Sequence, residues 1–201
     1  MSRRSLHPGQ RGLFELEPPG LVRVDEFIAA SEESELLAQV RTLPFQPFAL
    51  QGWFGKRETV SFGWRYDFND SRVHAAAAIP DFLLPLRMRA ADLAALQPPE
   101  LEQALVVRYD VGAGIGWHRD RPVFDKVIGI SLQSPCVLRF RRRNGHGFRR
   151  FSLDAQPRSA YLLNGEIRHE WEHSIAPMDV ARWSITFRSL SDKGRRAALQ
   201  R

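Results

Sequence analysis

The stretch Val106 to Asp120, VVRYDVGAGIGWHRD, decides how the chain is read. An apolar strand runs into glycines at 112, 114 and 116, then delivers His118 and Asp120 with one residue between them. On an extended chain, residues two apart share a face. An imidazole and a carboxylate therefore stand side by side, which is half of a metal site. The glycines fit a tight turn that lets the backbone approach the site without side chains in the way.

Two histidines and one carboxylate with open positions are the donor set of non-haem Fe(II) sites. A second histidine is needed, and His169 and His173 both lie downstream. His7, His74 and His146 fall in an arm, a helix start and a hairpin turn, and are read as non-ligands. Further on, Arg182 and Arg188 bracket RWSITFR at same-face strand spacing. Two fixed guanidinium forks suit a dicarboxylate. The His-Arg-Asp of a protein-kinase catalytic loop requires Asn five residues after the Asp. Position 125 is Asp, so that reading fails.

Taken together, Arg108-Tyr109 with its glycines, His118-Arg119-Asp120, Gly165-Glu166 to His173-Ser174-Ile175, and Arg182 to Arg188 resemble the AlkB family of Fe(II)- and 2-oxoglutarate-dependent dioxygenases. The resemblance covers roughly residues 100–190 closely and the N-terminal half loosely. It implies a mostly β fold, a double-stranded β-helix (jelly-roll) core with N-terminal helices and a substrate lid. It selects His173 over His169, making His118, Asp120 and His173 the metal ligands and catalytic centre. It places the far carboxylate of 2-oxoglutarate on Arg182 with Tyr109, and the end nearer the metal on Arg188. O₂ is the other co-substrate. Where the family often has Asn, this chain has Val107 and Ser184. Serine can still donate one hydrogen bond to the co-substrate, whereas valine cannot. The position two after Asp120, acidic in the founding repair enzyme, is Pro122.

The implied activity is oxidative demethylation of N-alkylated bases such as 1-methyladenine and 3-methylcytosine in DNA or RNA, releasing succinate, CO₂ and formaldehyde. The alternative is a 2-oxoglutarate hydroxylase or demethylase acting on modified tRNA or protein. A non-catalytic nucleic-acid-binding module is a third reading, opposed by the intact ligand and arginine set. The segment from Phe45 to Phe68 is rich in aromatics interleaved with Lys56, Arg57 and Arg65 and broken by glycines. Stacking surfaces beside cations are what a nucleic-acid lid requires. Trp53, Phe54, Lys56, Arg57, Phe62, Trp64 and Tyr66 are its expected substrate contacts. One of Trp64, Trp53 and Tyr66 is expected to hold the base against His118. Arg119, Arg141 and Arg143 are added from the ligand segment and from a basic ridge, Arg139 to Arg143 with Arg149 and Arg150, around the Asn144-Gly145 turn.

The 201 residues, 43% hydrophobic and 26% charged, suit one well-cored globular domain. Residues 1–16 read as a mobile arm and 17–190 as a single dioxygenase domain, its lid near 45–68 and its core near 102–190. Residues 191–201 read as a basic tail without regular structure. Helices are expected from Ser31, as N-cap, to Pro44 and within His74–Leu96. A net charge of +6, carried by 26 Arg and 3 Lys, favours a polyanionic partner, here nucleic acid. One cysteine, Cys136, excludes a disulfide framework or a cysteine zinc site. No apolar run reaches membrane-spanning length and no apolar leader opens the chain. A cytoplasmic monomer without membrane association is the expectation.

Overall fold

The computed structural model describes residues 17–50 and 53–199. Strand β1 (Leu21–Val24) precedes helix α1 (Ala30–Val40). Next come β2 (Gln46–Leu50), β3 (Trp53–Phe62), the hairpin β4 (Trp64–Asp67) and β5 (Arg72–Ala75), and α2 (Leu84–Leu93). Five strands follow: β6 (Gln103–Tyr109), β7 (Ile115–His118), β8 (Phe124–Leu132), β9 (Cys136–Asn144) and β10 (Gly147–Ala155). The chain ends with β11 (Ala160–Leu163), α3 (Gly165–His169), β12 (Glu172–Ile175), β13 (Arg182–Leu190) and α4 (Asp192–Leu199). The arm expected over 1–16 lies outside the described residues.

Strands β4 and β5 pair in a small sheet of their own, and the other eleven described strands form two facing antiparallel sheets. The larger has the order β1-β11-β8-β13-β6-β3-β2, and the smaller β10-β9-β12-β7. Period-two patterning decides which side of the larger sheet does what. On β13, Trp183, Ile185 and Phe187 join Ala104, Val106, Ile128, Ile130 and Leu132 in a core packed on Leu36 and Val40 of α1 and Leu86, Ala90 and Ala91 of α2. Burying each large apolar side chain there contributes roughly 1.5–3 kcal/mol. The alternate residues of β13 are Arg182, Ser184, Thr186 and Arg188, which face the smaller sheet. Arg182, Ser184 and Thr186 are buried. A polar row between two sheets is costly unless it is hydrogen-bonded, so this row marks where a ligand site can form. The apolar part of the space between the sheets is filled by Leu138, Phe140, Leu153, Ile167, Trp171 and Ile175.

Several local expectations need correction. Helix α1 starts two residues early, with Ala29 as its uncapped N-cap residue and Ser31 inside the first turn. The start is set by Ile28, which is buried and donates its N–H to Arg158 O. The helix also stops before the prolines, where the Thr42 hydroxyl donates to Gln39 O at 2.8 Å. His74 lies in strand β5 rather than at a helix start, because Asp67 and Asp70 accept the N–H groups of Asn69 and Arg72 and turn the chain into a hairpin. The β9–β10 turn is Gly145-His146, with Asn144 already paired to Gly147. The C-terminal segment, expected to lack structure, forms α4. Ser191 Oγ accepts the Gly194 N–H, an N-cap bond. The missing side chain of Gly194 lets the helix lie against Val123 O, where a Cβ would stand only 2.1 Å away. No described helix is long and apolar enough to cross a membrane.

Candidate metal and co-substrate centre

His118 ends β7 and His173 lies on the neighbouring β12, directly opposite it in register. Their rings are 4.3 Å apart between centroids. Asp120, just past β7, brings Oδ1 to 3.9 Å from His118 Nε2. Ligand atoms of all three lie within 4.8 Å of one another, close enough to hold one metal ion. His118 Nδ1 is 2.9 Å from Gly116 O, so this nitrogen donates and leaves Nε2 as the lone-pair donor. Gly112 makes the approach possible: its φ of +80° suits glycine alone, and its N–H bonds Met178 O at 2.7 Å.

The electrostatics favour the ligating forms. Burial opposes ionisation of Asp120. The Arg188 guanidinium, 3.5 Å away, overrides it with help from His173, His118 and Arg168, holding the carboxyl well below the usual carboxylate range. Burial pushes the His173 imidazole down to about 3, against the pull of Asp120. Both groups are therefore ready to ligate at neutral pH.

Beyond the triad lies the polar row. Arg182 is buried, stacks on the Tyr109 ring at 5.2 Å and donates Nη2 to Ser131 Oγ at 3.2 Å. Its Nε and Nη1 are buried with no hydrogen-bond partner. Unsatisfied buried donors are rare in native proteins, and two on one guanidinium leave it with charge-assisted hydrogen bonds to offer a carboxylate. At the other end of the row, Arg188 Nη1 donates to Gln103 Oε1 at 3.1 Å. The two arginines and the triad thus form a set of donors and cations suited to a metal ion and a dicarboxylate.

The sequence pattern of the 2OG-Fe(II) oxygenase superfamily matches residues 23–195. The chain belongs to that superfamily. The oxygenase is 28% identical over 193 residues to the Arabidopsis thaliana "Alkylated DNA repair protein ALKBH8 homolog", covering 80% of this chain and 52% of the relative. It is 25% identical to the Xenopus tropicalis "tRNA (carboxymethyluridine(34)-5-O)-methyltransferase alkbh8", covering 80% of this chain and 26% of the relative. The chain therefore spans between about a quarter and about half of these proteins. Among solved structures, that of OsALKBH1 superposes with a TM-score of 0.68 at 14% identity, covering 87% and 99% of the two chains. A Pseudomonas putida prolyl-4-hydroxylase superposes with a TM-score of 0.62 at 12% identity, covering 86% and 93%. These likenesses establish the double-stranded β-helix fold, and the sequence relatives place the oxygenase with the AlkB type. Fe(II), 2-oxoglutarate and O₂ are the cofactor and co-substrates of the superfamily, and the donor set fits them.

The expected lid residues go to different places. Arg57 is brought inward: it pairs in register with Tyr109, which pairs in turn with Arg182, so the three cross the sheet in one row. Burial lowers its pKa, Tyr109 and Asp120 oppose the shift, and Arg188 adds to it. Phe62, expected to face substrate, instead packs into the helix-side core at 7% exposure, because it falls on the apolar side of β3. Trp64 and Tyr66 pack on Val73, Val123, Phe124, Leu190 and Ala198, so α4 anchors their hairpin. Arg121, just after Asp120, stacks on Tyr66 and Phe68 at 5.1 and 4.9 Å. Lys56 is exposed beside Gly112. The side chains of Trp53 and Phe54 fall outside the described part. Arg119 is exposed, and Arg141 and Arg143 lie on the outer face of the smaller sheet.

Three contributors were missed by sequence reasoning. Ser131 carries Arg182. Tyr161 occupies the space left by Gly129, where a Cβ would stand 2.4 Å from the Tyr161 hydroxyl, and burial pushes its phenol well up against the opposing effect of Arg182. Arg168, buried on α3, donates to the carbonyls of Asp120 (3.4 Å), Arg121 (2.9 Å) and Phe124 (2.5 Å), clamping the loop that carries Asp120. Only the alternation in Ile128–Leu132 hinted at Ser131. The other two depend on which elements meet.

Proposed function

We propose that this oxygenase hydroxylates a C–H bond on a substituent of a modified base in RNA, with a tRNA base of uncharged ring as substrate. In this reading His118, Asp120 and His173 hold Fe(II). Arg182, with Tyr109 and Ser131, takes the far carboxylate of 2-oxoglutarate; Arg188 and Ser184 take the end nearer the metal. When bound, the iron and co-substrate supply the oxidising power, inserting one oxygen atom of O₂ while 2-oxoglutarate becomes succinate and CO₂. The chain's own part is to orient, to neutralise charge and to exclude water. Arg168 keeps the Asp120 loop in place, and Gly116 O keeps His118 in its ligating tautomer.

The observation that carries the reading is charge. Fe(II) and the dicarboxylate cancel formally, leaving four guanidinium groups, Arg57, Arg168, Arg182 and Arg188, against the carboxylate of Asp120 and, beside Arg168, that of Asp125, so the positive charge still dominates. The rings of 1-methyladenine and 3-methylcytosine are cations, which such a site repels, and Pro122 supplies no acid to offset the repulsion. The tRNA relatives are consistent with this. Oxidative demethylation of alkylated DNA or RNA is the second reading, supported by the name of the Arabidopsis relative, an alkylated DNA repair protein homolog, and by the family likeness.

The test is succinate and formaldehyde release by the wild-type chain with Fe(II) and 2-oxoglutarate, with His173→Ala as control. Arms contain total tRNA and single- and double-stranded oligonucleotides carrying 1-methyladenine or 3-methylcytosine. Substrate-stimulated succinate with tRNA and no formaldehyde is expected. Formaldehyde in step with succinate on the methylated oligonucleotides would replace this reading with demethylation.

A further inference from the structure

We propose that the outer face of the smaller sheet, a stripe running from Trp117 through Arg141 to Phe148, is a track for the single-stranded nucleic acid flanking the target base. The inference rests on the nucleic-acid reading above and adds the strandedness of the substrate and the surface that reads it.

The sequence shows one undivided ridge of arginines, but pairing splits it in two. Arg142 and Arg149 are partners across β9 and β10 and turn to the inner side. There Arg142 binds Glu166 at 2.8 Å and Glu170 at 2.7 Å, and Arg149 lies over the Trp171 ring at 5.4 Å. Arg139, Arg141, Arg143 and Arg150 take the outer side together with Phe148. Arg141 lies 4.4 Å from the Trp117 ring and 4.6 Å from the Phe148 ring, so one guanidinium is sandwiched by two aromatics. Glu172 fixes it there, accepting from Arg141 Nε at 2.6 Å. Arg143 and Arg150 flank Phe148 at 5.2 and 5.6 Å.

The stripe starts at the metal site. β7 is the edge strand of its sheet, and Trp117 precedes His118 on it. Arg119, between the two ligands, lines the same depression as Arg141, Arg143, Phe148, Glu170 and Glu172, a cavity of about 280 Å³. Three strand spacings separate β7 from β10, on the order of 14 Å. A chain whose target base enters beside His118 would pass over the β7 edge at Arg119 and continue along the stripe.

The chemistry selects a single strand. Aromatic faces and guanidinium planes interleaved with cations are the platform on which unpaired bases stack while phosphates meet arginine. A duplex keeps its base faces closed and would use only the charges. Both carboxylates in the depression are already held by arginines, so the surface stays attractive to phosphate.

Fluorescence anisotropy with a labelled oligouridine and an RNA duplex of equal length tests the inference on the full chain. Tighter binding of the single strand is expected. Phe148→Ala should weaken it about tenfold, the loss of one base stack. Arg143→Ser, at an exposed position that folding tolerates, should lower the slope of log affinity against log salt by about 0.7. Equal binding of duplex and single strand, or unchanged binding in both variants, would overturn the track. Absence of any nucleic-acid turnover by the wild-type chain would instead overturn the function proposed above, whatever the variants do in the binding assay.

Discussion

Replacing Arg182 by methionine should raise the melting temperature of the ligand-free protein and abolish its response to 2-oxoglutarate. The guanidinium is 1% exposed, with Nε and Nη1 lacking hydrogen-bond partners. Exchanging a buried charge for an apolar side chain of similar volume is often neutral or stabilising, by about 1–4 kcal/mol. Ser131 keeps a partner in Ala155 O at 3.3 Å, so the exchange strands no hydroxyl. For a chain of this size each kcal/mol moves the midpoint by about 2–4 °C. The opposite sign appears with ligand. Two charge-assisted bonds at roughly 1.5–3 kcal/mol each correspond to at least ~100-fold in 2-oxoglutarate affinity. At a concentration of 100 times Kd the wild type gains about 2.7 kcal/mol from ligand, and the variant should gain nothing. Arg182→Lys keeps the charge but loses the fork, and should bind 2-oxoglutarate more weakly without the rise in melting temperature. Differential scanning calorimetry with Mn(II) in place of Fe(II), with and without 2-oxoglutarate, measures both effects. A methionine variant that melts several degrees lower and still shifts with 2-oxoglutarate would refute the assignment and the reasoning from unsatisfied donors.

Three further predictions follow from the same geometry. Asp120 and His173 both have lowered folded-state pKa values, so the unfolded chain binds more protons as the solution is acidified. Stability of the metal-free protein should therefore be fully present above the ordinary histidine pKa of about 6.5 and fall as pH drops toward 3. His173→Gln should flatten that slope in a series of thermal melts. Arg168→Met removes the clamp on three carbonyls and should weaken Mn(II) binding roughly 10- to 100-fold, read by calorimetric titration; unchanged affinity would mean the loop holds itself. Gly129→Ala drives a methyl group into Tyr161, should cost about 1–3 kcal/mol and should weaken 2-oxoglutarate binding, whereas an unchanged melt would show that Tyr161 moves freely.

The centre of the protein was legible in the sequence because strands repeat every two residues. That period put Arg182 on one face with Arg188 and pointed to His118 beside Asp120, although Asp120 lies just past the end of β7 in a loop that Arg168 holds. The same rule gives wrong answers where burial chooses the face. In the aromatic segment Phe62 could be a stacking ring or a core ring, and only the helices packed behind β3 made it core. The basic ridge looked uniform because arginine is arginine in a sequence, whereas pairing of β9 with β10 sends Arg142 and Arg149 one way and Arg141 and Arg143 the other. The C-terminal helix was missed although Ser191-Asp192 is a helix-start signal, since a basic composition outweighed one cap.

By itself the sequence determined a histidine two residues from a carboxylate, two arginines on one strand face, and a fold mostly of strands. These are short-range or same-strand relations, set by backbone geometry that every β-strand shares. Only the tertiary structure decided how the pieces meet. It laid His173 opposite His118, hung Arg182 on Ser131, and locked the Asp120 loop with Arg168 from a helix. It also drew Arg57 into the site. Such contacts join residues far apart in the chain, and their partners are chosen by packing the two sheets and the helices together, a free-energy balance that no local pattern encodes.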